Sequence, residues 1–329
     1  MYYISYTIDY DNEMKMNYKR EMKMKNFKGL VAAPVTPFNE NGSINTDAVK
    51  PYAQLLKDSG VAGVFVNGTT GESYSLSQAE REALALAWCA EASEDFKVMI
   101  HVGATNHEES KALAAHADKI GADAIGEMGP LFFKPGSVTE LVDYTAETAE
   151  AAPNTPYFFY HMPAMNGINM SMIKYLELAD QKIPTLAGIK FTFENLMDFE
   201  LCRAFKNDEY NIMHGRDETL ICGLALGATA AVGSTYNLFA PLYVKLQKAF
   251  EAGDLATARE LQRLSMKGIQ VMADSGYFFS VLRQCLAKAG VETGKPRSPL
   301  PHCEDFAAID KAIEATGIYQ YLNQITAVV

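Results

Sequence analysis

The sequence predicts an α/β fold, a (β/α)8 TIM barrel with a C-terminal helical appendage. Three observations point there. Short apolar runs alternate with helical patterns eight times in succession, and such alternation implies parallel strands joined by helices. The eight units occupy about 225 residues, near the usual size of about 250 for this fold. Pro34 and Pro37 follow the first strand, where an open doubly wound sheet would carry a G-x-G-x-x-G fingerprint.

Residues 1–26 lack the apolar segment of a signal peptide and are poorly patterned. They are expected to form a flexible tail, with Met22 or Met24 as alternative starts. Gly29-Leu30-Val31-Ala32-Ala33-Pro34-Val35-Thr36-Pro37 reads as a strand and its exit. Thr46 is placed to cap a helix that runs to about residue 59, with Gly60 as its stop. Further strands are expected at 61–67, 97–103, 123–128, 156–160, 186–190, 210–214 and 228–233. Their helices are expected at 77–92, 107–120, 137–152, 171–180, 194–207, 217–226 and 238–252. Past Gly253 only helical patterns remain, at 254–273, 278–289 and 305–315, with a proline-rich extended crossing at 293–301. The chain therefore divides into a tail (1–26), a barrel (27–252) and C-terminal helices packed on it (253–329), a region that could equally form a subunit interface.

Composition bounds the function. Of the 329 residues, 48% are hydrophobic and 21% charged, enough for a sizeable core. A formal net charge of -11 argues against nucleic acid or an anionic membrane surface as partner. Cys89, Cys202, Cys222, Cys285 and Cys303 are scattered and odd in number, without a C-x-x-C pair. They read as reduced thiols of a cytoplasmic protein, neither a disulfide framework nor a zinc site. No apolar run approaches the length of a membrane span.

The chemistry is sought at the C-terminal ends of the strands, the active face of such a barrel. Lys190 ends the apolar run Leu186-Ala187-Gly188-Ile189-Lys190. A desolvated lysine has a lowered pKa and a larger share of free amine, which can attack a ketone and form a Schiff base. Taken alone, Lys190 reads first as a strand end pointing into water; the rest of the chain reverses that order. Tyr160 ends an aromatic strand; it is either a core residue or, with its hydroxyl aimed at Lys190, a proton relay. Gly68-Thr69-Thr70-Gly71-Glu72 is either a tight turn or a loop whose N–H groups hold an anion, a carboxylate sooner than a phosphate. It is not a P-loop, since no G-K-[ST] follows. Asp217 and Glu218 precede a helix, where they complement its dipole or, at a barrel mouth, bind sugar hydroxyls. His101, His161 and His214 lack metal-ligand spacing and read as satisfied polar residues.

Taken together, Gly68-Thr69-Thr70-Gly71-Glu72, Tyr160-His161-Met162-Pro163 and Gly188-Ile189-Lys190 resemble the pyruvate-dependent class I aldolases, the family of dihydrodipicolinate synthase and N-acetylneuraminate lyase. The resemblance runs from about Phe27 to Pro301. Each motif alone is weak; three at the right strand ends, in order, are specific. The lyase branch is the better match. Gly233-Ser234-Thr235-Tyr236-Asn237 looks like its strand-eight signature, Gly215-Arg216-Asp217-Glu218 like its sugar-binding loop, and Thr192 like its substrate-side threonine. Met165 stands where the synthases carry a carboxylate-binding arginine, and Leu131-Phe132-Phe133 where they carry paired tyrosines. His161 replaces an asparagine common in the family, and Arg216 occupies a variable position.

The resemblance implies roles. Lys190 would form the Schiff base with the ketone of open-chain sialic acid, and Tyr160 would move protons. Thr69 and Thr70 would hold the carboxylate, while Thr192, Gly215, Asp217, Glu218 and Ser234 would bind the polyhydroxyl tail. N-acetylmannosamine and pyruvate would be released. It implies no cofactor and no metal, because the iminium is the electron sink, and it implies a homotetramer. Two other readings share parts of this pattern: an aldolase for another 2-keto acid, such as a keto-deoxy sugar acid or a dihydrodipicolinate synthase-like substrate, and a silent barrel that binds a keto acid as a sensor.

Overall fold

The computed structural model describes residues 27–324. The expected tail 1–26 and the last five positions, 325–329, lie outside the described residues. Eight parallel strands close into a barrel in sequence order, with the first pairing to the last. They are β1 (Gly29–Ala32), β2 (Gly63–Val66), β3 (Lys97–His101), β4 (Ala124–Met128), β5 (Tyr157–His161), β6 (Leu186–Phe191), β7 (Asn211–His214) and β8 (Ala230–Gly233). The barrel and its helices were legible from alternation alone, and the strand ends move by a few residues at most.

Two apolar layers hold the fold. Inside the barrel, Val31, Phe65, Met99, Phe158 and Met213 pack on one another, with Phe27 edge-on to Phe158. Outside it, Val64, Ile100, Phe159, Ile189 and Ile212 meet the helices through Leu55, Trp88, Leu113, Leu141 and Phe199. Strand side chains alternate between these layers, which is why almost every strand residue is apolar. Each fully buried large side chain contributes about 1.5–3 kcal/mol.

The barrel helices are α1 (Val49–Asp58), α2 (Gln78–Cys89), α3 (His107–Lys119), α4 (Val138–Glu150), α5 (Pro163–Asn166), α6 (Met172–Lys182), α7 (Leu196–Arg203), α8 (Leu220–Ala225) and α9 (Tyr236–Glu251). Side-chain caps start several of them: Ser77 with Glu80 in a reciprocal box, Asn106, Ser137 and Asn195. Thr46 does not cap the first helix. It opens a 3₁₀ turn, Thr46–Ala48, and α1 begins after it. The short α5 was not expected; Pro163 at its first turn and Gly167 in the left-handed region frame it. The segment 217–226 splits into a 3₁₀ turn, Asp217–Thr219, and α8.

Helix α9 begins two residues earlier than expected and is kinked at Phe239, ahead of Pro241, which supplies no N–H. Buried Asn323 stitches this kink: its Oδ1 accepts from Ala240 N at 2.9 Å and its Nδ2 donates to Tyr236 O at 3.0 Å. The C-terminal segment supplies α10 (Leu255–Asp274), α11 (Phe278–Lys288) and α12 (Ala307–Ala315). These helices are more than an appendage: α10 and α11 reach the C-terminal mouth of the barrel.

Candidate active site

Strand β6 carries an irregularity that decides where its lysine points. Tyr157 pairs with Leu186 and Phe158 pairs with Gly188, so Ala187 is skipped. A bulge of this kind inserts one residue and re-phases the strand. Ala187 thus faces the barrel interior, Ile189 faces the helices and Lys190 faces inward again. Only glycine fits at 188: a Cβ there would lie 1.9 Å from Asn211 O.

Lys190 is 5% exposed. Its Nζ lies over the Tyr160 ring, 3.5 Å from the centroid, and 4.6 Å from the Phe65 centroid. Burial drives its pKa down to about 7, against a weaker upward pull from Asp217. The amine is therefore a nucleophile near neutral pH. Tyr160 is its register partner on β5. The Tyr160 hydroxyl does not point at the amine; it sits 3.2 Å from Thr69 Oγ1 and donates to Met162 Sδ at 2.8 Å. Burial pushes the phenol up to about 12, with Thr69 and Thr192 pulling the other way. Tyr160 thus carries its proton at neutral pH.

The loop after β2 crosses the mouth beside this pair. Thr70 Oγ1 lies 2.7 Å from Ser234 Oγ, linking the loop to the end of β8. The glycine-rich stretch leads into a 3₁₀ turn, Ser73–Ser75, rather than directly into a helix. On the opposite rim Gly215 packs so closely on Thr192 that a Cβ would meet its Oγ1 at 2.0 Å. Asp217 is buried, and its Oδ2 accepts from both Thr235 N and Thr235 Oγ1 at 2.6 Å. Burial, then the Glu218 charge, raises its pKa to about 6 despite these bonds. Arg216 pairs with Glu218 at 2.9 Å and with Glu194.

These groups surround one cavity of about 290 Å³. Lys190, Tyr160, Thr69, Thr70, Thr192, Gly215, Asp217, Glu218 and Ser234, the residues expected from the strand ends and from the family resemblance, all line it. Met162 and Thr235, quoted within the strand-end motifs but given no role, also line it, and the sequence argument missed the walls contributed by Ile269, Phe278 and Phe279. Nothing local marks Ile269, Phe278 and Phe279; they come from α10 and α11, whose apolar faces read as ordinary packing. Met165 is 55% exposed and does not line the cavity. His101 Nε2 accepts from Met128 N at 3.3 Å and His214 Nε2 lies 3.1 Å from Thr219 Oγ1. His161 departs from its expectation, since its Nε2 is buried without a partner. Among the described residues no group of three or more His, Cys, Asp or Glu side chains is arranged to hold a metal.

Comparison with known proteins decides the family. The model of the dihydrodipicolinate synthetase family matches residues 26–315. The chain belongs to this family. Within the dihydrodipicolinate synthetase family it is 40% identical to N-acetylneuraminate lyase of Mus musculus over 280 residues, 84% of this chain and 88% of the relative. Among solved structures it is similar to Proteus mirabilis N-acetylneuraminate lyase, at 34% identity and a TM-score of 0.86, covering 89% of this chain and 100% of the other. It is also similar to a Ruminococcus gnavus sialic acid aldolase described as a catalytic lysine mutant, at 28% identity and a TM-score of 0.84, covering 90% and 98%.

Proposed function

We propose that this chain is a class I aldolase that cleaves N-acetylneuraminate to N-acetylmannosamine and pyruvate through a Schiff base on Lys190. The observation that carries the reading is the buried Lys190 amine, with a pKa near 7, facing a cavity that Thr69, Thr70, Ser234 and Asp217 also line, beside Tyr160. The family relatives named N-acetylneuraminate lyase support the substrate.

In this reading the neutral Lys190 amine adds to the C2 ketone of the open-chain sugar acid. Loss of water leaves a protonated iminium. A proton leaves the C4 hydroxyl, the C3–C4 bond breaks, and its electron pair moves into the iminium to give an enamine. N-acetylmannosamine departs as the aldehyde. The enamine is protonated at C3, and water releases pyruvate and the free lysine. Tyr160, which holds its proton at neutral pH, moves protons at these steps together with the substrate carboxylate. Thr69 and Thr70 hold that carboxylate; Thr192, Gly215, Asp217, Glu218 and Ser234 bind the hydroxylated tail. The iminium is the electron sink, so the reaction calls for neither metal nor added cofactor.

The reading includes a homotetramer in the cytoplasm. Exposed apolar side chains at two separate places support assembly: Phe132 and Phe133 after β4, and Met197 and Leu201 on α7. Sedimentation velocity checks it, a monomer counting against it. Five unpaired cysteines support a reducing compartment, which cell fractionation checks. Among the described residues no helix is long and apolar enough to cross a membrane.

The deciding experiment incubates the protein with sialic acid, reduces with borohydride and maps the adduct by mass spectrometry. A pyruvyl adduct on Lys190 is expected. An adduct from pyruvate but not from sialic acid keeps the Schiff base and moves the substrate to another 2-keto acid. No adduct from either would falsify the enzyme assignment.

A further inference from the structure

We propose that the buried pair Glu72 and Arg283 is a positioning clamp for the keto-acid carboxylate, through which α11 sets the geometry of Thr69 and Thr70. The inference rests on the reading that these threonines hold the carboxylate. Neither Glu72 nor Arg283 lines the cavity, so both act through other groups.

Glu72 closes the Gly68-Thr69-Thr70-Gly71 loop with φ +57, a left-handed conformation that a side chain other than glycine rarely adopts. Such a conformation persists only where its surroundings over-determine it. Here they do. The Glu72 side chain is fully buried, that of Arg283 is 2% exposed, and the two form an ion pair. The other Glu72 oxygen, Oε2, accepts from Arg297 N at 2.8 Å. Arg283 Nη1 donates to Thr36 O at 2.9 Å and to Thr293 O at 2.5 Å. Thr36 Oγ1 in turn donates to Gly71 O at 2.6 Å, and Glu72 N donates to Thr69 O at 3.1 Å.

The loop is thus tied from behind at both Gly71 and Glu72, two residues or fewer from Thr70. Its front face presents Thr69 and Thr70 to the cavity. A buried ion pair is a poor source of stability, because desolvation offsets the attraction. Its directional bonds are what fix the loop, and the preformed cradle is what a carboxylate would meet.

The test compares Glu72→Gln and Thr36→Val with Thr70→Val. Thr36→Val deletes one tether, keeps the ion pair and nearly keeps the shape. Borohydride trapping on Lys190 is followed against concentration for two ketones, pyruvate and acetone; acetone has no carboxylate. With the loss of one oriented hydrogen bond, the half-saturating pyruvate concentration should rise about tenfold in each variant while that for acetone stays within about twofold. Equal weakening for both ketones would mean a merely structural role and would overturn the clamp. So would wild-type pyruvate curves in Glu72→Gln and Thr36→Val alongside a weakened Thr70→Val. A Thr70→Val protein with unchanged pyruvate trapping would remove the threonine cradle itself, and the clamp with it. If Glu72→Gln does not fold, Thr36→Val decides.

Discussion

The Lys190 amine rests over the face of the Tyr160 ring, 3.5 Å from its centroid, and the two residues are register partners across β5 and β6. The ring attracts an ammonium, while burial disfavours one. Burial wins, and the pKa settles near 7. Because the hydroxyl turns away toward Thr69 and Met162, the phenol reaches into the cavity instead of bonding the amine.

Replacing Lys190 by alanine removes the nucleophile. Turnover of sialic acid should fall by about 10³-fold or more, since the other residues act on a covalent intermediate that no longer forms. Circular dichroism should remain that of a folded barrel. Measurable wild-type-like turnover would rule the mechanism out.

Tyr160→Phe keeps the ring under the amine and deletes only the hydroxyl. A loss of about 10²-fold or more in kcat is expected for removal of a positioned proton donor. Pyruvate should still be trapped on Lys190. Near wild-type kcat would take Tyr160 out of proton transfer.

The acid limb of Schiff-base formation should have its midpoint near pH 7, far below that of a solvent-exposed lysine. As pH rises through the midpoint the amine loses its proton and trapping of pyruvate accelerates. Asp217, ionised above about pH 6, holds the Lys190 pKa up. Asp217→Asn should therefore move the midpoint to lower pH, read from trapping rates between pH 5 and 9 on the acid side of lysine's ordinary range of about 10.4. An upward movement would contradict the assigned coupling.

Thr235→Val deletes the hydroxyl that donates to Asp217 Oδ2 at 2.6 Å. The KM for sialic acid should rise several-fold, about that expected for one lost hydrogen bond to a carboxylate. The half-saturating concentration for pyruvate should not change, because pyruvate has no hydroxylated tail. Parallel changes in both would show that Asp217 does not serve the tail.

Gly188→Ala should be severe. Its Cβ would lie 1.9 Å from the backbone Asn211 O, which no rotamer change relieves. A cost of about 3 kcal/mol or more is expected, at or beyond the upper end for overpacking. Thermal unfolding measures it. The surviving folded fraction should trap pyruvate poorly, since the bulge aims Lys190.

Much of this molecule was written in the chain. Eight apolar runs with helical partners determined the barrel, because each strand is buried on both faces and each helix on one. Knowing the barrel located the active face, and so Lys190, Tyr160, Thr70, Asp217 and Ser234 could be named together before any of them was seen to meet. Three features needed the tertiary structure. Strict alternation along Leu186-Ala187-Gly188-Ile189-Lys190 puts Ala187 and Ile189 on one face and Lys190 on the other; the bulge at Ala187 alone reconciles an inward Ala187 with an inward Lys190. Ile269, Phe278 and Phe279 close the cavity from helices far along the chain, and Arg283 reaches back to Glu72 across 211 positions. Sequence periodicity reports which face of an element is apolar. It carries no record of which distant element covers that face, or of the one residue by which a strand slips its register.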